Sequence, residues 1–230
     1  MKNIKYILFL LFWLILLADC YLIFKGNTES RIYTKPLLIP LLLLIIYFET
    51  GETTHKKSKV ILSIAFAFCF FGDALLLKDT LTSYFIGGLS CFLVGHIFFT
   101  AFFYRLRTFR QRYFMYIFIA GIIIAMYIIY LLTLLWEITG RQNMQTPVAV
   151  YSVIIGFMLL TALNTFNNKR LRHLALIYFI PGALLFVISD SLLAVNKFMY
   201  PFQYAGIAIM ITYGGAIFLF AYGAMRFLKK

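Results

Sequence analysis

Residues 60–77 read VILSIAFAFCFFGDALLL, eighteen positions with one charged side chain, Asp73. Residues 173–195 read HLALIYFIPGALLFVISDSLLAV and carry one carboxylate, Asp190. Runs of this length and polarity have the dimensions of a helix crossing a bilayer, for which about 20 apolar residues suffice. Each aspartate follows a small residue, Gly72 or Ser189, and each has Leu-Leu beginning two places later. A carboxylate within hydrocarbon costs about 2.5–3.5 kcal/mol even on the lenient insertion scale. Two of them in matched frames therefore point to a site.

Six further runs resemble these two. The set comprises roughly 5–24, 32–49, 60–77, 83–104, 113–136, 147–166, 173–195 and 201–225. The composition agrees: 63% hydrophobic and 13% charged residues, with a mean hydropathy of +0.91, exclude an ordinary soluble domain. Connections are short and alternating strand patterns are missing, which argues against an outer-membrane barrel. The expected fold is all-α, one polytopic domain over 1–230 built as a bundle of about eight transmembrane helices. The first run is long and lacks a small-residue cleavage site, so it reads as a retained helix rather than a signal peptide.

The net charge of +13 would suggest nucleic acid in a soluble chain. Here the basic residues sit at the ends of the runs, so orientation explains them and no nucleic-acid partner is expected. The two termini and the even-numbered loops hold 15 Lys and Arg, the remaining loops 6. Positive-inside reasoning makes this an integral protein of the cell (inner) membrane with both termini cytoplasmic. The Arg105–Arg112 stretch is a topology determinant on this reading, with anionic lipid as a second role. Asp79 and Glu137 fall in solvated loops.

With that orientation, polar residues fall into one layer. A helix rises about 1.5 Å per residue, which places Asp73 about 6 Å and Asp190 about 7–8 Å below the outer surface. Asp19, Lys35 and Tyr151 lie at similar depth on three other helices, and all five are expected to line one cavity. Lys35 reads as a counter-charge to the acids, against snorkelling to the interface. Pro36 suits a first helical turn, and Pro40 is expected to bend the helix. His96 falls about 18 Å deep, below the layer. It reads as a buried histidine bonded to a neighbouring helix, or as the floor of a funnel. No His or Cys recurs at helical spacing, so neither a metal nor a cofactor is expected. Cys20, Cys69 and Cys91 read as packing residues. Gly87-Gly88 and Gly214-Gly215 read as close-packing positions.

Asp73 and Asp190 are 117 residues and four runs apart, which suggests a weak internal repeat of parallel topology. Other stretches complete a pattern. They are Thr34-Lys35-Pro36-Leu37, Phe71-Gly72-Asp73-Ala74-Leu75-Leu76, Gly88-Leu89 with Phe92 and Gly95-His96, Pro147-Val148 with Val150-Tyr151, Met158 and Ala162, then Phe186 to Leu193 with Lys197-Phe198. In order and spacing the chain resembles the YhhN-like lysoplasmalogenase family of membrane proteins. One departure is Tyr213-Gly214-Gly215-Ala216-Ile217, which lacks the glutamine that the family often carries after the tyrosine.

The resemblance implies hydrolysis of the vinyl ether bond of a lysophospholipid substrate, to a fatty aldehyde and glycerophosphoethanolamine or glycerophosphocholine. Protonation of the vinyl ether carbon needs a carboxylic acid that keeps its proton, and a low-dielectric setting near other acids favours that form. Asp73 and Asp190 are the catalytic candidates. Lys35, Tyr151, Asp19, His96 and Lys197 are the substrate-binding ones, with Lys35, Arg141 and Lys197 placed to hold phosphate. A proton-coupled carrier for a small molecule or lipid also suits intramembrane acids and a parallel repeat, and so does a receptor without chemistry. The lipid bilayer is the surrounding partner in each case.

Overall fold

The computed structural model describes residues 2–78, 81–107, 114–141 and 143–229. Asp79 and the loop positions from Thr108 to Tyr113, including Arg110 and Arg112, lie outside them. The long helices are α1 (Lys2–Phe24), α2 (Leu38–Thr50), α3 (Lys56–Leu76), α4 (Thr82–Leu106), α5 (Phe114–Arg141), α6 (Gln145–Asn164), α7 (Arg172–Met199) and α8 (Ala205–Leu228). Eight spans are long and apolar enough to cross a membrane, the second beginning at Glu29. The chain is an integral membrane bundle.

Several elements depart from the expected outline; the fifth span runs on to Arg141, so Glu137 lies in helix α5 rather than in a loop. The second span starts as two 3-10 turns, Glu29–Tyr33 and Lys35–Leu37, before α2 begins. Pro40 therefore lies in the first turn of α2, where a missing N–H removes no helix bond. The change of helix type comes before it rather than at a bend. The seventh span runs on to Met199, four residues past its expected end. It includes wide π turns at Ala175–Phe179 and Val195–Met199 around an α-helical Ile180–Ala194.

Lipid tails are as apolar as leucine, so side-chain fit rather than hydrophobicity must hold such helices together. Glycines supply the fit between α3 and α4. A Cβ on Gly72 would meet the Phe92 ring at 2.7 Å, and one on Gly88 would meet Leu76 at 2.8 Å. A buried aromatic stack fills the centre: Phe186 lies 6.2 Å from Phe220, which lies 4.9 Å from Phe99 and 5.1 Å from Phe103. Such pairs add about 0.5–1.5 kcal/mol each beyond the area they bury.

Both termini lie at one face. Lys5 at the start of α1 is 3.7 Å from Glu49 at the end of α2, and Lys229 beyond α8 pairs with the same carboxylate. Thr53 donates to the Leu228 carbonyl at 2.7 Å.

Helix packing follows a rule of four. The pair α3–α4 has α7–α8 as its counterpart, α4–α6 has α8–α2, α5–α6 has α1–α2, and α6–α7 has α2–α3. Each pair becomes the other when every helix is replaced by the one four further along. The pattern breaks around α5, which meets the last turn of α7 while its counterpart α1 makes no comparable contact with α3. Helix α1 packs along α8, but its counterpart α5 makes no comparable contact with α4. Helix α5 is poorly covered by protein, and Ile123, Met126 and Tyr130 are all exposed.

Candidate active site

The polar residues inside the bundle sort into three groups. The first joins α4, α6 and α7. Tyr151 donates its hydroxyl proton to Asp190 Oδ2 at 2.5 Å. His96 Nε2 stands 3.0 Å from the Tyr151 oxygen and 3.3 Å from Asp190 Oδ2. Because the tyrosine proton is committed to the carboxylate, the network assigns a hydrogen to His96 Nε2. His96 Nδ1 is buried with no hydrogen-bond partner among the described residues.

The second group joins α3, α8 and the 3-10 turn before α2. Tyr213 donates to Asp73 Oδ2 at 2.6 Å. Lys35 Nζ is 3.3 Å from Asp73 Oδ1, an ion-pair distance at which hydrogen-bond geometry is not met. Asp73 is 1% exposed, so this is a dry pair whose partners depend on each other. The third group holds Asp19, which accepts both Arg31 Nε at 3.2 Å and Nη2 at 3.0 Å, and Thr34 Oγ1 at 2.7 Å. This clamp fixes the loop that aims Lys35 at Asp73.

The first two groups are counterparts under the rule of four. Asp73 on α3 is bonded from the second span and α8, and Asp190 on α7 is bonded from α6 and α4. His96 and Tyr213 are 117 residues apart, the same interval that separates the aspartates. Phe186 stands between the groups, 4.6 Å from the His96 ring and 5.5 Å from the Tyr213 ring.

The Asp190 group opens on a cavity. A cleft of about 460 Å³ lies between α5 on one side and α4, α6 and α7 on the other. That is within the usual size of a small-molecule site. Asp190 and Tyr151 line it; Asp73, Lys35 and Asp19 do not. The single cavity expected for all five residues is thus replaced by separate centres. Lys35 and Arg31 each close on an acid of their own, which withdraws Asp73 and Asp19 from the cleft. Lys35 stands as the counter-charge to Asp73 and is buried. Lys197 lies in the π turn beyond Asp190, with its amine 4.9 Å from the centre of the Phe85 ring. The Arg141 side chain lies outside the described residues.

His96 does not lie below the layer; it touches Asp190 and Tyr151. The depth estimate failed because α7 extends to Met199, which sinks Asp190 further from its end. Tyr151 then reaches inward with a long side chain. Tyr213 had no sign of being Asp73's partner except its place 117 residues after His96. Arg31 counts in the sequence only toward loop charge, and Thr34 only as the start of the Lys-Pro stretch. Tyr127, whose hydroxyl donates to Ser191 at 2.6 Å, gave no signal at all. Among the described residues no three His, Cys, Asp or Glu gather as a metal ion would require.

Residues 30–224 match the YhhN family. The chain belongs to the YhhN family. Both aspartate centres fall inside the YhhN region, whereas Asp19 precedes it. A relative, the lysoplasmalogenase TMEM86B of Rattus norvegicus, is 30% identical over 151 residues. The match covers 61% of this chain and 60% of that protein, so the chain spans about three fifths of its relative's length. No solved structure matches this YhhN chain.

Proposed function

We propose that this protein is a membrane-embedded hydrolase of the lysoplasmalogenase type, cleaving the vinyl ether bond of lysoplasmalogens. One observation carries the reading: Asp190, bonded by Tyr151 and His96, faces an apolar cleft large enough for a lipid chain. Both of its donors address Oδ2, which leaves Oδ1 to carry a transferable proton. Asp190 gives that proton to the second carbon of the vinyl ether. The electron pair of the double bond forms the new C–H bond, and the first carbon becomes an oxocarbenium ion. Negative charge then gathers on Asp190, where the Tyr151 O–H and the His96 N–H stabilise it. Water adds to the cation and returns a proton to Asp190. The resulting hemiacetal breaks into a fatty aldehyde and glycerophosphoethanolamine or glycerophosphocholine. General acid catalysis of this kind is typically worth about 100- to 10,000-fold.

Asp73 is the second carboxylate of the proposal, as a positioning residue. It holds Tyr213, which packs on Phe186 and Phe92, and Phe186 packs on His96. Lys197 at the mouth is the candidate for the phosphate. The cleft faces outward on this reading, with both termini cytoplasmic. The test is direct: purified protein is incubated with a vinyl-ether lysophospholipid and released aldehyde is measured. A signal abolished in Asp190→Asn supports the proposal. Absence of aldehyde from every vinyl-ether lipid turns the reading to a proton-coupled carrier, which the paired aspartate centres favour as the second reading.

A further inference from the structure

The proposed chemistry places a reacting bond beside Asp190 but leaves open where the rest of the lipid lies and how it arrives. Beyond Tyr151 the cleft continues along α6 past Ile155, Leu159 and Leu163, one turn apart. These lie about 6, 12 and 18 Å from the Tyr151 level, a depth suited to one long hydrocarbon chain and lined by apolar side chains throughout. The cleft also exists because α5 stands away from α4, where its counterpart α1 closes on α8. In addition, α5 packs along α6, where Ile124 and Ile128 lie over Gly156, and it is fixed again at one end. There Leu135 joins Phe85, Met144, Val148 and Phe198 in a small buried cluster separate from the main core. Further along α5, the Tyr127–Ser191 hydrogen bond ties it to the residue after Asp190. The rest of its outer surface is exposed apolar side chain.

We propose that the cleft under α5 seats the single hydrocarbon chain of the lysolipid, and that the chain comes in sideways from the bilayer past α5, with Tyr127–Ser191 as the latch. This rests on the vinyl-ether reading for the identity of the lipid, and the geometry gives the reason for one chain only. Helix α5 is a door hinged along α6 and at the Leu135 cluster, opening on the α4 side. Its inner side meets the substrate chain and its outer side meets the membrane. A lipid already in the bilayer needs no passage of its tail through water to reach Asp190. The turns of α6 act as a ruler, so residues further from Tyr151 set the tolerated chain length.

Binding is tested without turnover. Lysophosphatidylcholine carrying a diazirine near the headgroup, or at the chain end, is photolysed with the full protein in lipid vesicles, and the labelled peptides are mapped. The near probe is expected on residues around Val187 and Val148, and the end probe on residues around Leu163 and Ile124. Labels spread over α1 and α3, or unchanged by probe position, would overturn the seat. Tyr127→Phe is expected to raise early labelling by about two- to tenfold, the worth of one hydrogen bond; unchanged labelling removes the latch. Turnover then tests the ruler. Ile155→Trp, Leu159→Trp and Leu163→Trp should raise the ratio of short-chain to long-chain aldehyde release by about tenfold or more, in that descending order. An equal ratio in all three overturns the ruler. If the unaltered protein releases no aldehyde while labelling follows probe position, the chemistry fails and the seat stands.

Discussion

A carboxylate buried in a membrane bundle must be met by donors or remain neutral, and this protein answers the problem twice with a tyrosine hydroxyl. The second partner differs: a lysine for Asp73, a histidine for Asp190. The lysine makes its centre a closed ion pair. The histidine pairs with a carboxylate that still faces the cleft. Asp190→Asn should therefore lower aldehyde release at least about 100-fold with the fold unchanged. Tyr151→Phe should lose less, since His96 still donates to Oδ2. Initial rates with a vinyl-ether lysolipid check both, and equal losses would mean that Tyr151 does more than stabilise the carboxylate. Asp73→Asn is a different experiment. It strands Lys35 without its partner, and breaking a buried pair typically costs about 3–5 kcal/mol. Its activity should fall together with its thermal stability. Adding Lys35→Met should restore stability. Activity that stays low in the double variant would show that Asp73 positions the site, and recovered activity would leave it a structural charge. Both aspartates were legible in the sequence because charge in an apolar run is costly. Tyr213 was not, because a tyrosine in such a run is common and only its contact with Asp73 distinguishes it.

Among the elements, α3 and α4 form the tightest fit near the Asp73 centre, and glycine makes it. A side chain at Gly72 must displace the Phe92 ring, and one at Gly88 must displace Leu76 with the Gly72 carbonyl 3.3 Å away. Gly72→Leu and Gly88→Val should each destabilise the protein by about 1–3 kcal/mol, the usual cost of overpacking. Gly121→Ala is the control. Its Cβ would find nothing nearer than Leu160 at 3.9 Å, so stability should hold or rise slightly. Thermal unfolding in detergent reads all three. Because Phe92 also packs on Tyr213 and Phe186, the two destabilised variants should lose activity as well. A stable but inactive Gly72→Leu would tie this interface to the site directly. The sequence showed Gly88 as a packing position, but not Gly72, and showed where each run lay, since length and apolarity decide that. It did not show the 3-10 turn at Lys35 or the π turns of α7. Those follow from tertiary contacts, such as the Asp19 clamp, that no local pattern encodes.

At the scale of the whole molecule, the matched centres and the rule of four describe two halves related by an interval of 117 residues. The aspartate frames alone hinted at this repeat in the sequence. The rest was hidden because the halves share contacts rather than residues: His96 answers to Tyr213, and Lys35 to the neighbourhood of Tyr151. The symmetry fails beside α5, and the open seam there is the seat proposed for the lipid chain. The remaining question is which way the seam's polar end faces. The loop between α1 and α2 lies on the face opposite the termini, beside Asp19, and the loop after α2 lies on the terminal face. The 15-to-6 distribution of Lys and Arg predicts that the terminal face is cytoplasmic. A protein with Cys20, Cys69 and Cys91 replaced by serine or alanine provides the background. In it, Thr28→Cys should react with a membrane-impermeant maleimide added to intact cells, and Glu52→Cys should react only after the membrane is opened. Both positions are exposed, and the Thr28 side chain makes no capping bond, so neither substitution disturbs the bundle. The reverse pattern would turn the Asp190 end of the cleft toward the cytoplasm. Headgroup products would then be released inside the cell, while the chemistry at Asp190 and the path past α5 would stay as argued.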